Sequence, residues 1–406
     1  MIFLERGLSL LAQHGRLGFI VPNKLFKLDY GERLRALFSR QELVEEVLDF
    51  GASQLFAGAT NYTCILVLDK SGVPELSYRR FRGTRAAVLG ELAAPSSLPA
   101  QRFATRALGG EPWVLVPPEE AAVIQAAAEG SERLDAVAAR IFQGLITSAD
   151  NVYILDSRGE RGGRRIVWSD ASERELELEP DLLHPLASGG DIERYAFKSL
   201  SSLLLFPYKR DGDEMQLLTG SELDGFPLTK AYLEEHEALL RARESGRMDH
   251  EGWYAFGRTQ SLGAHDGPKL GVAATVRRLE IAADLKGGVY FHNVRVNGIL
   301  GREGGMSLTV LLVLLNSRLL DWIFRRGAAG HANDYFAANK QFIAGLPIPC
   351  RTRRKRRRSS RSAAASTTSP RVRPSSARAS SAGSPRRWGR RARGCPAAAS
   401  SSCARR

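Results

Sequence analysis

The sequence predicts an α/β segment, then an α+β domain, then a basic tail, and three observations carry that reading. Helical and strand-like stretches alternate over roughly the first 70 residues. Short strands and helices mix without repeat between Trp113 and Pro349. From Arg351 onward the chain contains no Leu, Ile, Met, Phe or Tyr, so that stretch cannot bury a core and is expected to be disordered.

Within the first segment, "IFLERGLSLLAQ" places Phe3, Leu4, Leu8 and Leu11 at helical spacing and stops before His14-Gly15. "RLGFIVP" is a short apolar strand closed by Pro22, "YGERLRALFSR" a helix, "LVEEVLDF" a strand, and "YTCILVLDK" a second strand rich in β-branched and apolar residues. These make about three strands, whereas a doubly wound sheet normally has five or more, so the segment reads as one end of a larger sheet. The first strand is then an interior strand whose edge lies open, an aggregation hazard unless another chain covers it. The expected boundaries are 1–72 for this segment, 73–112 for a loose Pro- and Ala-containing connector, 113–349 for the α+β domain, and 350–406 for the tail.

Composition bounds the function. The 406 residues are 43% apolar and 25% charged, the profile of a globular chain with room for two or three cores. No apolar run approaches the roughly 18 residues of a membrane span, and the amphipathic, acid-containing start lacks the plan of a signal peptide. Cys64, Cys350, Cys395 and Cys403 share no disulfide or metal spacing, which points to a reduced, cytoplasmic protein without a structural metal. His331, a lone loop histidine, has no second ligand near it in sequence. The net charge of +14 belongs to the tail: 18 of the 58 Lys+Arg and none of the 44 Asp+Glu lie in 351–406, leaving 40 against 44, a net of −4, for Met1–Cys350. Any nucleic acid must therefore be bound by local patches of the folded part. The tail itself is either a basic arm for phosphates or an out-of-frame reading of GC-rich DNA, and its abrupt start after "LPIPC" favours the second.

Two long stretches carry a resemblance. "GRLGFIVPNKLFKLDYGERLRALF" followed by "VLDFGASQLFAGATNYTCILVLDK" resembles the segment after the catalytic motif of N6-adenine DNA methyltransferases, as in type IIG restriction-modification enzymes. Downstream, "GLITSADNVYIL", "DIERY", "FPY", "GWYAFGRTQ", "PKLGV", "LLNSRLLDWIF" and "GLPIP" resemble, in order, the TaqI-like C-terminal specificity domain of that family. The resemblance implies the last strands of a Rossmann-like methyltransferase sheet, a target-recognition domain, S-adenosylmethionine as methyl donor and double-stranded DNA as partner. It also implies that Phe56, in the loop before the last strand, stacks on the extruded adenine. Ala57, Gly58 and Ala59 would leave room over that ring, and the competing reading is that Phe56 caps the core.

The recognition domain offers further DNA-binding candidates. Gly144, Thr147 and Asn151 share a loop in which Gly permits close backbone approach and Thr and Asn can hydrogen-bond. The competing reading is an ordinary hairpin turn. Trp253, Tyr254, Arg258 and Gln260 form a polar-aromatic cluster in which Arg and Gln suit guanine and adenine edges, although a motif shared across differing specificities better suits shaping the domain or holding phosphate. Lys209, Lys269 and, after the first strand, Lys24 complete the set, with a solvated strand-end charge as the alternative for Lys209 and Lys269. Asn316-Ser317, inside a strongly apolar helix, is expected to make a buried polar contact.

Two parts of the family plan are missing from these residues: a glycine loop for S-adenosylmethionine, and the Asn-Pro-Pro-Tyr/Phe motif that grips the adenine amino group. The "PN" at Pro22-Asn23 is not followed by Pro, and no paired carboxylates and lysine of a nuclease are present. Alone, the chain is expected to bind DNA without methylating it, either as part of a methyltransferase or as a recognition subunit serving a separate catalytic chain.

Overall fold

The computed structural model describes residues 2–56, 61–94 and 98–350; the tail and Ala57–Ala59 lie outside the described residues. The first sheet is built as the apolar alternation dictates. After helix α1 (Ile2–Leu10) come β1 (Arg16–Pro22), α2 (Glu32–Arg40), β2 (Val44–Asp49), β3 (Thr63–Asp69), β4 (Glu75–Arg80), α3 (Arg85–Leu92) and β5 (Gln101–Ala104). The sheet order is β1-β3-β2-β4-β5. On β3 the inward residues Cys64, Leu66 and Leu68 are fully buried, against Val44, Val47, Leu34 and Phe38.

The expected connector 73–112 differs from what is found. It supplies β4 and β5, with β4 pairing in parallel with β2 from Glu46↔Ser77 to Asp49↔Arg80. Trp113 stacks on Phe26 with ring centroids 5.4 Å apart, so the first core extends past residue 112. Among the described residues the sheet therefore has five strands, the three expected in the first 70 residues and two from the stretch expected as connector. β1 pairs only with β3, so it is an edge strand, and Ile20 on it is 51% exposed.

Two further sheets organise the remainder. A six-stranded sheet is ordered Arg174–Leu178, Arg164–Ser169, Ile154–Arg161, Ser202–Leu205, Leu183–Ala187 and Tyr290–Phe291. A four-stranded sheet is ordered Ile281–Asp284, Lys269–Ala273, Val296–Gly301 and Ala138–Gln143. The apolar run expected as one helix is two, Leu308–Leu315 and Arg318–Gly327. The break lies at the expected polar pair. Buried Asn316 accepts from the Ile281 backbone N–H (3.0 Å) and donates to the Ile281 and Leu312 carbonyls (2.9 and 3.0 Å), while Ser317 caps the second helix through Leu320 N–H (3.2 Å). The helix expected over "LTKAYLEEHEALLRARES" is likewise interrupted, at His236 and Ala242, and its end is distorted where Glu244 and Ser245 adopt left-handed backbone. Among the described residues no helix is long and apolar enough to cross a membrane, and no group of three or more His, Cys, Asp or Glu is placed to hold a metal ion.

Candidate nucleic-acid interface

β1 and β2 both run antiparallel to β3, and β4 runs parallel to β2, so β1, β2 and β4 end at one edge of the sheet. Carboxyl ends of such strands are where α/β sheets place ligands. Asp49, the last residue of β2, organises this edge. One carboxylate oxygen accepts from Asn23 Nδ2 (2.9 Å) and from Gly51 N–H (2.9 Å), and the other accepts from the Tyr78 hydroxyl (2.8 Å). Asn23 also donates to the Gly51 carbonyl (2.8 Å). Burial, with the Asp49 charge beside it, pushes the Tyr78 hydroxyl well above its ordinary range. Gly51, at φ +56°, supplies the left-handed turn out of β2 that a side chain would strain.

That knot fixes the root of the loop carrying Phe56. Leu55 turns inward and is buried with Leu48, Phe50, Phe81 and Val88. Phe56 turns outward and is 46% exposed. The loop's apolar anchor is therefore Leu55, and the aromatic ring is left open to solvent. At the loop's far end Tyr62 is buried; its hydroxyl accepts from Ala332 N–H (2.7 Å), and its ring meets His331 edge-on at 6.1 Å. His331 is pulled below its ordinary value, first by burial and then by the Lys24 charge; its environment is an aromatic edge. Lys24 itself is half-buried in the turn after β1.

The same edge is joined to the C-terminal half by Lys27. Its ammonium donates to the Ala328 (2.6 Å) and Arg326 (3.3 Å) carbonyls at the end of helix Arg318–Gly327, where orphan carbonyls and the helix dipole favour a donor. Burial, reinforced by Arg80 and offset by Asp49, lowers its pKa to about 8. A neutral amine keeps two N–H groups, enough for both carbonyls.

The recognition-domain candidates sort into those brought together and those withdrawn. "GLITSADN" and "GWYAFGRTQ" do meet: Gly257 N–H donates to Thr147 O (3.1 Å) and Arg258 N–H to Ile146 O (3.2 Å). Asn151, Arg258 and Gln260 are exposed on this patch. Arg258 faces Glu244 at 3.5 Å, and the Gln260 carbonyl accepts from Arg140 (2.7 Å).

Others prove structural. Trp253 and Tyr254 belong to the core, and the Tyr254 hydroxyl donates to Leu218 O (2.6 Å). Thr147 is buried, its hydroxyl donating to Asp150 Oδ1 (2.5 Å). Gly144 is glycine because a Cβ would come within 2.2 Å of the His292 carbonyl oxygen; the close approach is to this chain's own backbone. Lys269, expected to face phosphate, is fully buried and bonded to Asp284 (2.7 Å) and the His265 carbonyl (2.6 Å). Exposed Lys209 is matched by Glu222, whose carboxyl that pair and the Thr219 backbone hold down at about 2.

Sequence reasoning missed Arg243. Buried beneath the patch, it donates to the carbonyls of Thr147 (2.7 Å), Trp253 (2.7 Å), Ala255 (2.9 Å) and Leu240 (2.8 Å), and so clamps the two loops together. No local signal marks it, since "LLRARES" reads as a solvated helix face.

Comparison with known proteins agrees with the motifs. Residues 1–56 match the Eco57I restriction-modification methylase family. The chain is 25% identical over 277 residues to the type II restriction enzyme and methyltransferase RM.Eco57I of Escherichia coli, covering 64% of this chain and 27% of that protein. It is 26% identical to the type II methyltransferase M.XhoI of Xanthomonas vasicola (62% and 44% covered) and 22% identical to M.BstVI of Geobacillus stearothermophilus (86% and 60% covered). It thus spans about a quarter to three fifths of the length of these relatives. Among solved structures, the type IIL restriction-modification enzyme MmeI in complex with DNA aligns at 12% identity and a TM-score of 0.48, covering 83% of this chain and 39% of that one. Over these stretches the chain is similar to type II restriction-modification methyltransferases.

Proposed function

We infer that the chain is the base-stacking and target-recognition part of a restriction-modification methyltransferase that transfers a methyl group from S-adenosylmethionine to adenine N6 in a specific duplex sequence. The observation that carries this reading is the division of labour between Leu55 and Phe56. An aromatic ring stands open beside the strand ends while its neighbour fills the core, which is what a platform for an extruded base requires.

The residues present do not fit a methyl-donor pocket. At the strand-end edge Asn23, Gly51 and Tyr78 already engage both oxygens of Asp49, so that carboxylate is committed to the turn and is not a free acceptor for a ribose or an ammonium. The chain therefore recognises DNA and holds the base, and the donor is held by groups it does not supply. Arg258, Gln260 and Asn151 face the duplex, with Arg243 shaping the loops that present them.

The test is binding to duplexes in which the adenine of the recognised motif is either paired or mismatched. A mismatch lowers the cost of extrusion, so the chain binds the mismatched duplex more tightly. Phe56→Ala lowers affinity for that duplex about 5- to 150-fold, from the roughly 1–3 kcal/mol of one base–aromatic stack. Equal affinity of the variant and the parent chain removes the platform role.

A further inference from the structure

A groove that no part of this reading uses has a volume of about 460 Å³ and lies between the turn at Gly189 and the segment Thr275–Glu280, with Tyr335 closing one side. Two consecutive arginines, Arg277 and Arg278, line it and are exposed to solvent. Neither makes an ion pair among the described residues, whereas Arg16, Arg79, Arg174, Arg210 and Arg326 all do. Arg277 is held in place without being neutralised: its guanidinium carbon stands 4.9 Å over the Tyr335 ring, a contact that orients a cation and leaves its N–H donors free. One carboxylate, Glu280, also lines the groove. Asp191 and Glu193, on either side of the lining residue Ile192, are engaged, Asp191 by Ser188 N–H (2.7 Å) and Glu193 by Lys198 (3.9 Å).

The backbone is strained at one position near the groove. Tyr195, the last residue of "DIERY", has φ +75° and is 49% exposed, yet its N–H is tied to the Ile281 carbonyl at 2.7 Å, next in sequence to Glu280. A bulky residue in that backbone region is costly and persists where surroundings enforce it. The result is an exposed aromatic residue whose backbone is fixed to the strand that follows the two arginines. The turn carrying Tyr335 also carries Ala332 and His331, which contact Tyr62 at the end of the Phe56 loop.

We propose that this groove binds the sugar-phosphate backbone of DNA, with Arg277 and Arg278 each donating to a phosphate. The contact is sequence-independent and holds the strand in register with the Phe56 loop through the turn that carries Tyr335. It rests on the DNA-recognition reading above. Two unpaired guanidiniums, one of them supported on an aromatic ring, suit an anionic rather than an apolar ligand, and a DNA backbone presents such anions in succession.

The test is arginine labelling of the full chain with phenylglyoxal, read residue by residue by mass spectrometry, with and without a 30-base-pair duplex, the arginines of 351–406 serving as internal reference. The proposal expects several-fold protection of both Arg277 and Arg278 by duplex and none by inorganic phosphate at the same phosphate concentration. Protection of the 351–406 arginines alone overturns the groove while leaving DNA binding intact. Equal protection by inorganic phosphate overturns it in favour of a small-anion site. No protection anywhere removes the DNA-recognition reading as well. A second readout is the salt dependence of duplex affinity: Arg277→Ala/Arg278→Ala flattens the slope of log K against log salt by about 1.8, at roughly 0.9 per phosphate, and an unchanged slope overturns the proposal.

Discussion

Leu55 and Phe56 are adjacent, both apolar and in one loop, yet the structure assigns them opposite consequences on truncation. Leu55 is 7% exposed within the cluster of Leu48, Phe50, Phe81 and Val88. Leu55→Ala removes buried methyl groups and leaves a cavity, at a cost of about 2–5 kcal/mol. Phe56 is 46% exposed, so only about half of the roughly 1.5–3 kcal/mol of full burial is at stake, and Phe56→Ala costs about 1 kcal/mol of fold stability. Urea denaturation followed by far-ultraviolet circular dichroism measures both, and binding to the mismatched duplex supplies the second axis. Leu55→Ala is expected to lose stability more than affinity measured on the folded fraction, and Phe56→Ala the reverse. Equal destabilisation by the two substitutions would mean that Phe56 is a core residue after all, and the platform argument would fail at its foundation.

Other sites separate structural from recognition roles in the same way. Lys269→Ala strips the partner from Asp284 in a buried pair and should destabilise by about 3–5 kcal/mol, whereas Arg258→Ala, at an exposed site, should leave the denaturation midpoint nearly unmoved and weaken DNA binding. Arg243→Ala removes four hydrogen bonds to backbone carbonyls, of which that of Thr147 keeps a second donor in Gly257 N–H, so a loss of several kcal/mol is expected, and Arg243→Lys, lacking the planar fork, should restore little of it. Lys27 predicts a pH dependence: its folded pKa of about 8 lies below the ordinary 10.5, so between those values the unfolded chain holds the extra proton and stability rises with pH. The gain is at most roughly 3 kcal/mol, and comparing denaturation midpoints at pH 7.5 and 10.5 in the parent and Lys27→Met should show that portion of the rise vanish in the variant.

What was legible in the sequence was what local pattern controls. The alternation of Cys64, Leu66 and Leu68 marks β3 without help from elsewhere, and Asn316-Ser317 announces a polar interruption in an apolar run. Where pairing across the chain decides, the sequence was silent. "ELSYRR" offers only Leu76 and Tyr78 as inward residues, so β4 reads as connector until β2 and β5 flank it. A lysine ahead of an apolar strand looks the same whether it faces phosphate or a buried carboxylate. Lys269 is settled by the register that sets it opposite Asp284. Trp253 and Tyr254 follow the same logic: they pack into the core, and Arg258, Thr259 and Gln260 beyond them reach the surface. Of the candidate site, Phe56 was readable as an aromatic among small residues, but the Asp49–Asn23–Tyr78 knot that roots its loop was not, because its members come from three separate strands or strand ends.

The central claim, that this chain recognises a DNA sequence, is tested most directly by selection from a randomised duplex library with the full chain at near-physiological salt, followed by sequencing of the bound fraction. A defined enriched motif containing an adenine is the result predicted. Salt-sensitive capture without enrichment would show that only nonspecific phosphate attraction is at work, and would contradict the account.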